Sequence, residues 1–321
     1  MQVVRDPYSF ISQKPLHMAI GMFDGVHIGH QAVIESAIHV AQTKGDMSAV
    51  LTFTPHPSQI LHPKAPTLLL QTEEQKEERL RAIGIDILAW QSFNMELAAV
   101  PADQFVQNLK ARFPSLSSIY VGENFRFGKG REGNIATMLT TALEQGVHVI
   151  SIERVRYDGE PVSSTRIRSL LVEGDIESTN VLLGYKYYCT GEVLPGKRLG
   201  HTIGFPTLNV RWEPQCCPRY GVYAARVRRA DDVDGPGLPG IANYGLRPTV
   251  DNNAAFPLLE THLLSPCPFG TGDRLRIEWL HFLRPEQKFD GLAALKSQIS
   301  KDCAQARELL QTEHTLSSPS K

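Results

Sequence analysis

Two histidines three residues apart, His27 and His30, stand in the run Gly21-Met22-Phe23-Asp24-Gly25-Val26-His27-Ile28-Gly29-His30. At the start of a helix this spacing lets both imidazoles face one bound anion. There they can donate hydrogen bonds to charge developing on a phosphorus during transfer. Gly25 and Gly29 lack a Cβ, so backbone can come close to phosphate oxygens. The free N–H groups of a first helical turn, and the helix dipole, favour negative charge at the same place. The same residues also suit a capped helix with two surface histidines, or half of a metal site. A second run, residues 196–209, sets Gly196, Gly200 and Gly204 beside Lys197 and Arg198. Pro206 then stiffens the chain before Thr207 and Asn209. In an extended segment that spacing puts both oxygens on one side, where they could hold Mg²⁺ beside a nucleotide. Alone, it reads more simply as a glycine-rich loop. A third run, Ser163-Ser164-Thr165-Arg166-Ile167-Arg168, combines hydroxyls with arginines, whose planar forks grip phosphate oxygens. Without context it is a capped helix with two exposed arginines.

The elements that must position these residues follow from periodicity. An apolar run at 16–20 predicts a short buried strand, and Val33, Ala37, Val40 and Ala41 repeat at helical period after Gly29. Further strands are expected at 48–53, 85–90, 118–121 and 147–152. They alternate with helices at 72–80, 103–113 and from the Ser163–Ser164 cap to Gly174. Thr72 and Gln75 form a capping box, and the Glu/Lys run after them reads as a solvated face. This alternation predicts an α/β, doubly wound parallel sheet of Rossmann-like form. His56, between Pro55 and Pro57, lies at the carboxyl end of a strand, where open α/β sheets place their ligands. Glycines 122, 128, 130 and 133 around Phe125-Arg126-Phe127 suggest a loop pressed close to a ligand. A short helix at 176–183 follows. From 187 the texture changes to short β runs at 187–193, 221–227, 258–264 and 274–282, separated by Gly/Pro-rich turns. These predict a small antiparallel barrel, closed by a helix at 291–310 with Leu292, Leu295, Ile299 and Cys303 on one face. The boundary is expected near Gly184, giving domains 1–184 and 185–321.

Composition narrows the function classes. The 321 residues are 42% apolar and 21% charged, with a formal charge of −1. That balance gives no electrostatic reason to expect nucleic acid or membrane partners, and a nucleic-acid-binding barrel would need a basic stripe with stacking aromatics. No apolar run is long enough to span a bilayer, and the start has no secretory apolar region. Five cysteines without a Cys-x-x-Cys are expected to be thiols in a reducing cytoplasm.

The complete 21–30 string resembles the signature of the HxGH nucleotidylyltransferases, and its Gly-x-Phe-Asp-Gly-x-His form resembles the prokaryotic FAD synthetases. It is not the Gly-x-Gly-x-x-Gly fingerprint, so no nicotinamide cofactor is implied. By that resemblance His27 and His30 are catalytic. Gly21, Phe23, Asp24, Gly25, Asn124, Ser163, Ser164, Thr165, Arg166 and Arg168 bind ATP, and His56 and Phe127 contact phosphate or flavin. Asn124 stands where the family usually has an acidic residue. The Gly-Phe-Pro-Thr-x-Asn string at 204–209 resembles the riboflavin kinases, and three later segments agree: residues 243–249, 259–263 and 284–289. This implies ATP contacts from Gly196, Lys197, Gly200, His201, Gly204 and Pro206, Mg²⁺ on Thr207 and Asn209, and Glu260 as general base. His201 replaces a usual arginine, Tyr244 a small aliphatic and Val250 an aromatic, and Ser265-Pro266-Cys267-Pro268 lacks an acidic run. Taken together, the chain resembles a bifunctional riboflavin kinase/FAD synthetase acting on riboflavin, FMN, FAD and ATP, as a monomer or weak homo-oligomer. The alternative is an FMN adenylyltransferase whose barrel only binds flavin.

Overall fold

The computed structural model describes residues 1–5, 12–196, 199–232, 235–246 and 257–316. Lys197, Arg198 and Val250 lie outside the described residues, as does the side chain of His201. The chain forms two compact units, dividing between Ser164 and Thr165.

The first unit begins with β1 (Gln2–Val4), β2 (Leu16–Ile20), α1 (Ile28–Lys44), β3 (Met47–Thr54), α2 (Pro57–Leu61), α3 (Glu73–Ile83) and β4 (Ile87–Ser92). It continues through α4 (Met95–Ala98), α5 (Phe105–Arg112), β5 (Leu116–Gly122), α6 (Ile135–Glu144) and β6 (His148–Ile152), then the hairpin β7 (Arg156–Tyr157) and β8 (Glu160–Pro161). Among the described residues the sheet order is β1-β4-β3-β2-β5-β6, and every pair is parallel. After β1, which forms the edge beside β4, the chain enters the centre at β2, winds outward through β3 and β4, and returns to β5. That reversal makes the carboxyl ends of β2 and β5 a topological switch point, where such sheets bind ligands.

β2 sits in the middle because its residues are apolar on both faces, as a doubly covered strand requires. Leu16, Met18 and Ile20 pack with Val106, Leu109, Met138 and Ala142 of α5 and α6. Ala19 points the other way, into the layer built by Val33, Ile34, Ala37 and Ile38 of α1. The one polar residue of the strand, His17, is buried and fully engaged. Its Nδ1 pairs with Ser118 Oγ at 2.6 Å and its Nε2 with Asp46 Oδ2 at 3.0 Å, as a buried polar ring must be.

The expected capping box at Thr72 is present, with Gln75 bonding back to the cap. The solvated-face reading of the run that follows is corrected: Gln75 and Lys76 are buried, at 8% and 7% exposure, because this side of α3 meets the loop after β2. The expectation of a ligand-pressed loop at 122–133 is corrected in part. A Cβ on Gly128 would lie 2.7 Å from Ala102 Cα, and one on Gly133 would lie 2.8 Å from the Phe127 ring. These two glycines serve packing within the unit.

In the second unit α7 (Ser164–Glu173) and α8 (Ile176–Leu183) lead into β9 (Tyr188–Leu194). There follow α9 (Leu199–Thr202), β10 (Leu208–Val210), β11 (Gly221–Arg229), β12 (Leu238–Leu246), β13 (Pro257–Leu263), β14 (Arg274–Pro285) and α10 (Leu292–Leu316). The strands close into an antiparallel barrel, β10-β13-β12-β11-β14-β9. Arg219 N bonds Leu171 O at 2.9 Å, and Asn180 Nδ2 bonds Trp279 O at 2.9 Å. These bonds tie α7 and α8 to the barrel, so the compact division falls twenty residues before Gly184.

The barrel interior is aromatic: Tyr223, Tyr244 and Trp279 are fully buried there, and Trp212 stacks at a tilt on Tyr244 and Trp279. The unusual Tyr244 is thus core, with its hydroxyl's pKa pushed up by burial. α10 packs on the outer wall through Ile299, Cys303, Ala306 and Leu310, against Val222, Ala224 and Ile241. Leu292, expected on that face, is instead 58% exposed. The packed seam begins at Ile299.

Candidate active sites

The loop after β2 is strained. Phe23 has φ 48°, Gly25 φ 82° and the β-branched Val26 φ 38°, a region that costs a residue like valine dearly. The surrounding protein holds it by its carbonyls. Met22 O accepts from Thr52 Oγ1 at 3.1 Å and from Lys76 Nζ at 2.7 Å. Phe23 O accepts from Gln71 Nε2 at 3.1 Å, Asp24 O from Ser164 Oγ at 2.9 Å, and Val26 O from Gln31 Nε2 at 2.7 Å. The Asp24 carboxylate is buried and accepts from Leu70 N at 3.0 and 3.3 Å.

The two histidines are brought together as expected, stacked with ring centroids 3.6 Å apart and planes 17° apart. His27 is the N-cap of α1, its Nδ1 accepting from His30 N at 3.3 Å. That bond leaves Nε2 to carry the proton of the neutral ring. Gly29 permits this fold-back, since a Cβ there would already lie 3.2 Å from the His27 ring. Gly21 plays the same part for Phe23, whose ring would be 3.0 Å from a Cβ at that position and meets His30 edge-on. His30 Nδ1 is buried without a partner among the described residues. The pKa of His30 lies well below the ordinary histidine value, through burial first, then the charges of His27 and Lys76. His30 is therefore neutral at neutral pH, a donor of one N–H.

The other expected residues of this unit are more scattered. His56 caps α2, its Nδ1 accepting from Ser58 N at 3.2 Å. Asn124 is exposed just past the end of β5. Phe127 is not displayed to solvent: its ring is core, packed on Phe105 and Phe125. Ser163 and Ser164 stand at the start of α7, and the Ser164 hydroxyl reaches the loop as given above. Thr165 is exposed and Arg166 and Arg168 are half-buried, all three on α7 in the second unit. Thr52, Gln71, Lys76 and Gln31, which shape the loop, were not anticipated from the sequence.

In the second unit a cavity of about 410 Å³ opens between the barrel wall, the 200–207 segment and α10. Register builds its polar wall. Asn209 on β10 faces Glu260 on β13, and Glu260 faces Asn243 on β12. Residues paired across antiparallel strands share a face, so the three form one row, and all three line the cavity with Thr207. His262 lines it too, and its Nδ1 meets Pro206 O at 2.8 Å, pinning the expected loop to β13. Gly200 lets that loop close, because a Cβ there would lie 2.3 Å from Phe205 O. A Cβ on Gly196 would lie 1.8 Å from Asn209 Nδ2. Gly204, at φ 88°, supplies the turn before Pro206. Arg284, also lining the cavity, grips the buried Asp302 of α10 by three bonds of 2.8–3.0 Å. Asn243, His262, Arg284 and Asp302 were missing from the expected set. Asn209 Oδ1 is buried without a partner among the described residues, an oxygen that fits a hard cation.

A strained anion loop at the switch point of a parallel sheet, followed by a barrel with a carboxylate–amide row on its wall, defines a transferase that handles phosphates in each of its units. The family model for FAD synthetase matches residues 10–166, and that for riboflavin kinase matches residues 183–310. Bifunctional riboflavin kinase/FMN adenylyltransferases are similar along nearly the whole chain. The one from Listeria monocytogenes is 36% identical over 89% of both chains. That from Bacillus subtilis is 35% identical over 94% of this chain and 96% of its own, and that from Escherichia coli 34% over 96% and 97%. A crystal structure described as a macrolide-efflux protein from Streptococcus pneumoniae shares the fold, with a TM-score of 0.83 and 24% identity over 95% of this chain and 98% of that one. The chain belongs to the bifunctional riboflavin kinase/FMN adenylyltransferase family.

Proposed function

We propose that the second unit transfers the γ-phosphoryl group of ATP to riboflavin, and that the first unit joins the resulting FMN to AMP from a second ATP. The products are FMN and ADP, then FAD and pyrophosphate. The observation that carries this reading is the row Asn209–Glu260–Asn243 along the barrel cavity, in a chain whose other half holds the stacked histidine pair. Glu260 takes the proton of the flavin 5′-hydroxyl as that oxygen attacks. Thr207 and the orphaned Asn209 Oδ1 would hold Mg²⁺, which would supply charge neutralisation for the ATP phosphates. Gly196, Lys197, Gly200, His201, Gly204 and Pro206 form the ATP loop.

In adenylyl transfer, His27 and His30 donate to the α-phosphate as it is attacked, while Ser163, Ser164, Thr165, Arg166 and Arg168 hold the departing pyrophosphate. Gly21, Phe23, Asp24, Gly25 and Asn124 shape the nucleotide site, and His56 lies toward the flavin phosphate. Both transfers proceed by positioning and charge stabilisation, with no covalent intermediate. Domains 1–184 and 185–321 carry the two reactions, in a cytoplasmic monomer or weak oligomer. No helix among the described residues is long and apolar enough to cross a membrane. A barrel that merely binds flavin is not favoured, because the riboflavin kinase match runs over 183–310 and the cavity keeps Thr207, Asn209 and Glu260. Purified protein with riboflavin, ATP and Mg²⁺, followed by chromatography, should yield FMN and then FAD. Failure to form FMN overturns the kinase assignment, and failure to convert supplied FMN overturns the other.

A further inference from the structure

α3 reads as a polar surface helix, yet it sends one cation inward. Lys76 is 7% exposed, and its Nζ donates to Met22 O at 2.7 Å while lying 5.2 Å from the centroid of the Trp90 ring. The groups around that ammonium come from several elements. Asp24 lies on the loop, His30 on α1, Glu73 and Glu77 on α3 itself, and Arg5 just beyond β1, bonded to Glu73 and Glu77. Trp90 is fixed in turn by its Nε1 bond to Glu77 at 3.0 Å. A buried ammonium is costly, and a hydrocarbon side chain of similar length would fill this space. The cation is explained by what it holds: the carbonyl that precedes Phe23, the first of the strained residues of the histidine loop.

We infer that Lys76 is a positioning residue for adenylyl transfer. Its ammonium, clamped between the Met22 carbonyl and the Trp90 ring, fixes the strained backbone of residues 22–26 in its anion-receiving form and adds a buried positive charge beside His30. It acts through the loop, by its bond to Met22 O. The inference rests on the histidine loop being the adenylyl-transfer site.

The charge gives a distinctive signature. Burial lowers the Lys76 pKa from 10.5 to about 8, with Asp24 and Glu73 acting against the shift. Between those two values the unfolded chain binds the proton and the folded one does not. The stability contribution of Lys76 therefore rises with pH across that window. Its positioning role requires the ammonium, so activity should fall over the same range. A purely structural lysine would not separate the two.

The test is the pH dependence of kcat/KM for ATP in FAD synthesis from supplied FMN, for wild type, Lys76→Met and Lys76→Arg. This parameter reports groups of the free enzyme. Wild type should lose activity above a pH of about 8. Lys76→Met should be at least about thirtyfold slower at neutral pH, should lack that alkaline limb, and should phosphorylate riboflavin at the wild-type rate. A Lys76→Met enzyme within threefold of wild type overturns the inference, as does an unchanged limb in that variant. If Lys76→Met does not fold, Lys76→Arg decides, because a guanidinium stays charged. Its limb must then move up by at least about one pH unit, and an unmoved limb overturns the inference. If wild type itself makes no FAD from FMN, the site assignment has failed rather than the role of Lys76.

Discussion

A neutral imidazole beside a second imidazole is an economical way to meet a growing negative charge, because it donates a hydrogen bond without presenting a cation to the resting site. His30 is held in that form by burial and by its neighbours His27 and Lys76. His30→Ala should therefore slow FAD formation from FMN by about 10²–10³, the usual loss for a transition-state donor, and leave riboflavin phosphorylation intact. Separate chromatographic assays of the two steps check this, and equal loss of both would contradict two centres. The same depressed pKa has a thermodynamic face. Below a pH of about 6.5 the unfolded chain protonates this histidine while the folded chain does not, so stability is lost as pH falls. Thermal unfolding followed at pH 5 and pH 7 should show that loss, and His30→Phe should lessen it. In the barrel, Glu260→Gln keeps the shape of the side chain but removes the base. FMN formation should drop by about 10²–10⁴ while supplied FMN is still converted. A drop of less than tenfold would remove Glu260 from that role.

At the level of elements, the working parts depend on glycines that give room and on strands that set register. Gly196→Ala would drive a methyl group into Asn209 Nδ2, 1.8 Å away. We expect riboflavin phosphorylation to fall at least about tenfold, with FAD synthesis from FMN unchanged, since overpacking displaces what it meets. Unaltered kinase kinetics would show that Asn209 can yield. The elements most readable from sequence were those with an unbroken pattern. β2 appears as the apolar run at 16–20, α8 as the short helix at 176–183, and α3 opens at the start its Thr72–Gln75 capping box announces. β12 was illegible because Pro239, Gly240 and Gly245 interrupt it. Yet a Cβ at Gly240 would lie 2.9 Å from His262 O, and one at Gly245 would lie 1.7 Å from Glu286 Oε1. The features that spoil the strand signal are those the packing demands, and missing β12 concealed the pairing of Asn243 with Glu260. α6 escaped because Thr137, Thr140 and Thr141 dilute its apolar period. Lys76 escaped because α3 is charged on most sides, and only a tertiary partner could reveal which charge turns inward. The histidine pair and the Thr207–Asn209 pair were legible because their spacing is local.

For the molecule as a whole, the product of one unit is the substrate of the other. An equimolar mixture of His30→Ala and Glu260→Gln enzymes should therefore convert riboflavin to FAD, with FMN rising first, because each chain retains one working centre. Absence of FAD from the mixture would mean that FMN does not pass between chains. The aromatic residues add a further consequence for anyone watching such experiments by light. Of the three tryptophans, Trp212 and Trp279 lie 5.2 Å apart inside a nest of tyrosines in the second unit. Trp90 belongs to the first unit, with Glu77 on its indole nitrogen and the Lys76 and Arg5 cations over its ring. Ultraviolet absorbed by the barrel tyrosines can pass to the neighbouring indole pair, whereas Trp90 emits from a polar, cation-faced setting. Each unit thus carries its own chromophore, and Trp90→Phe leaves an enzyme whose tryptophan emission reports on the barrel alone.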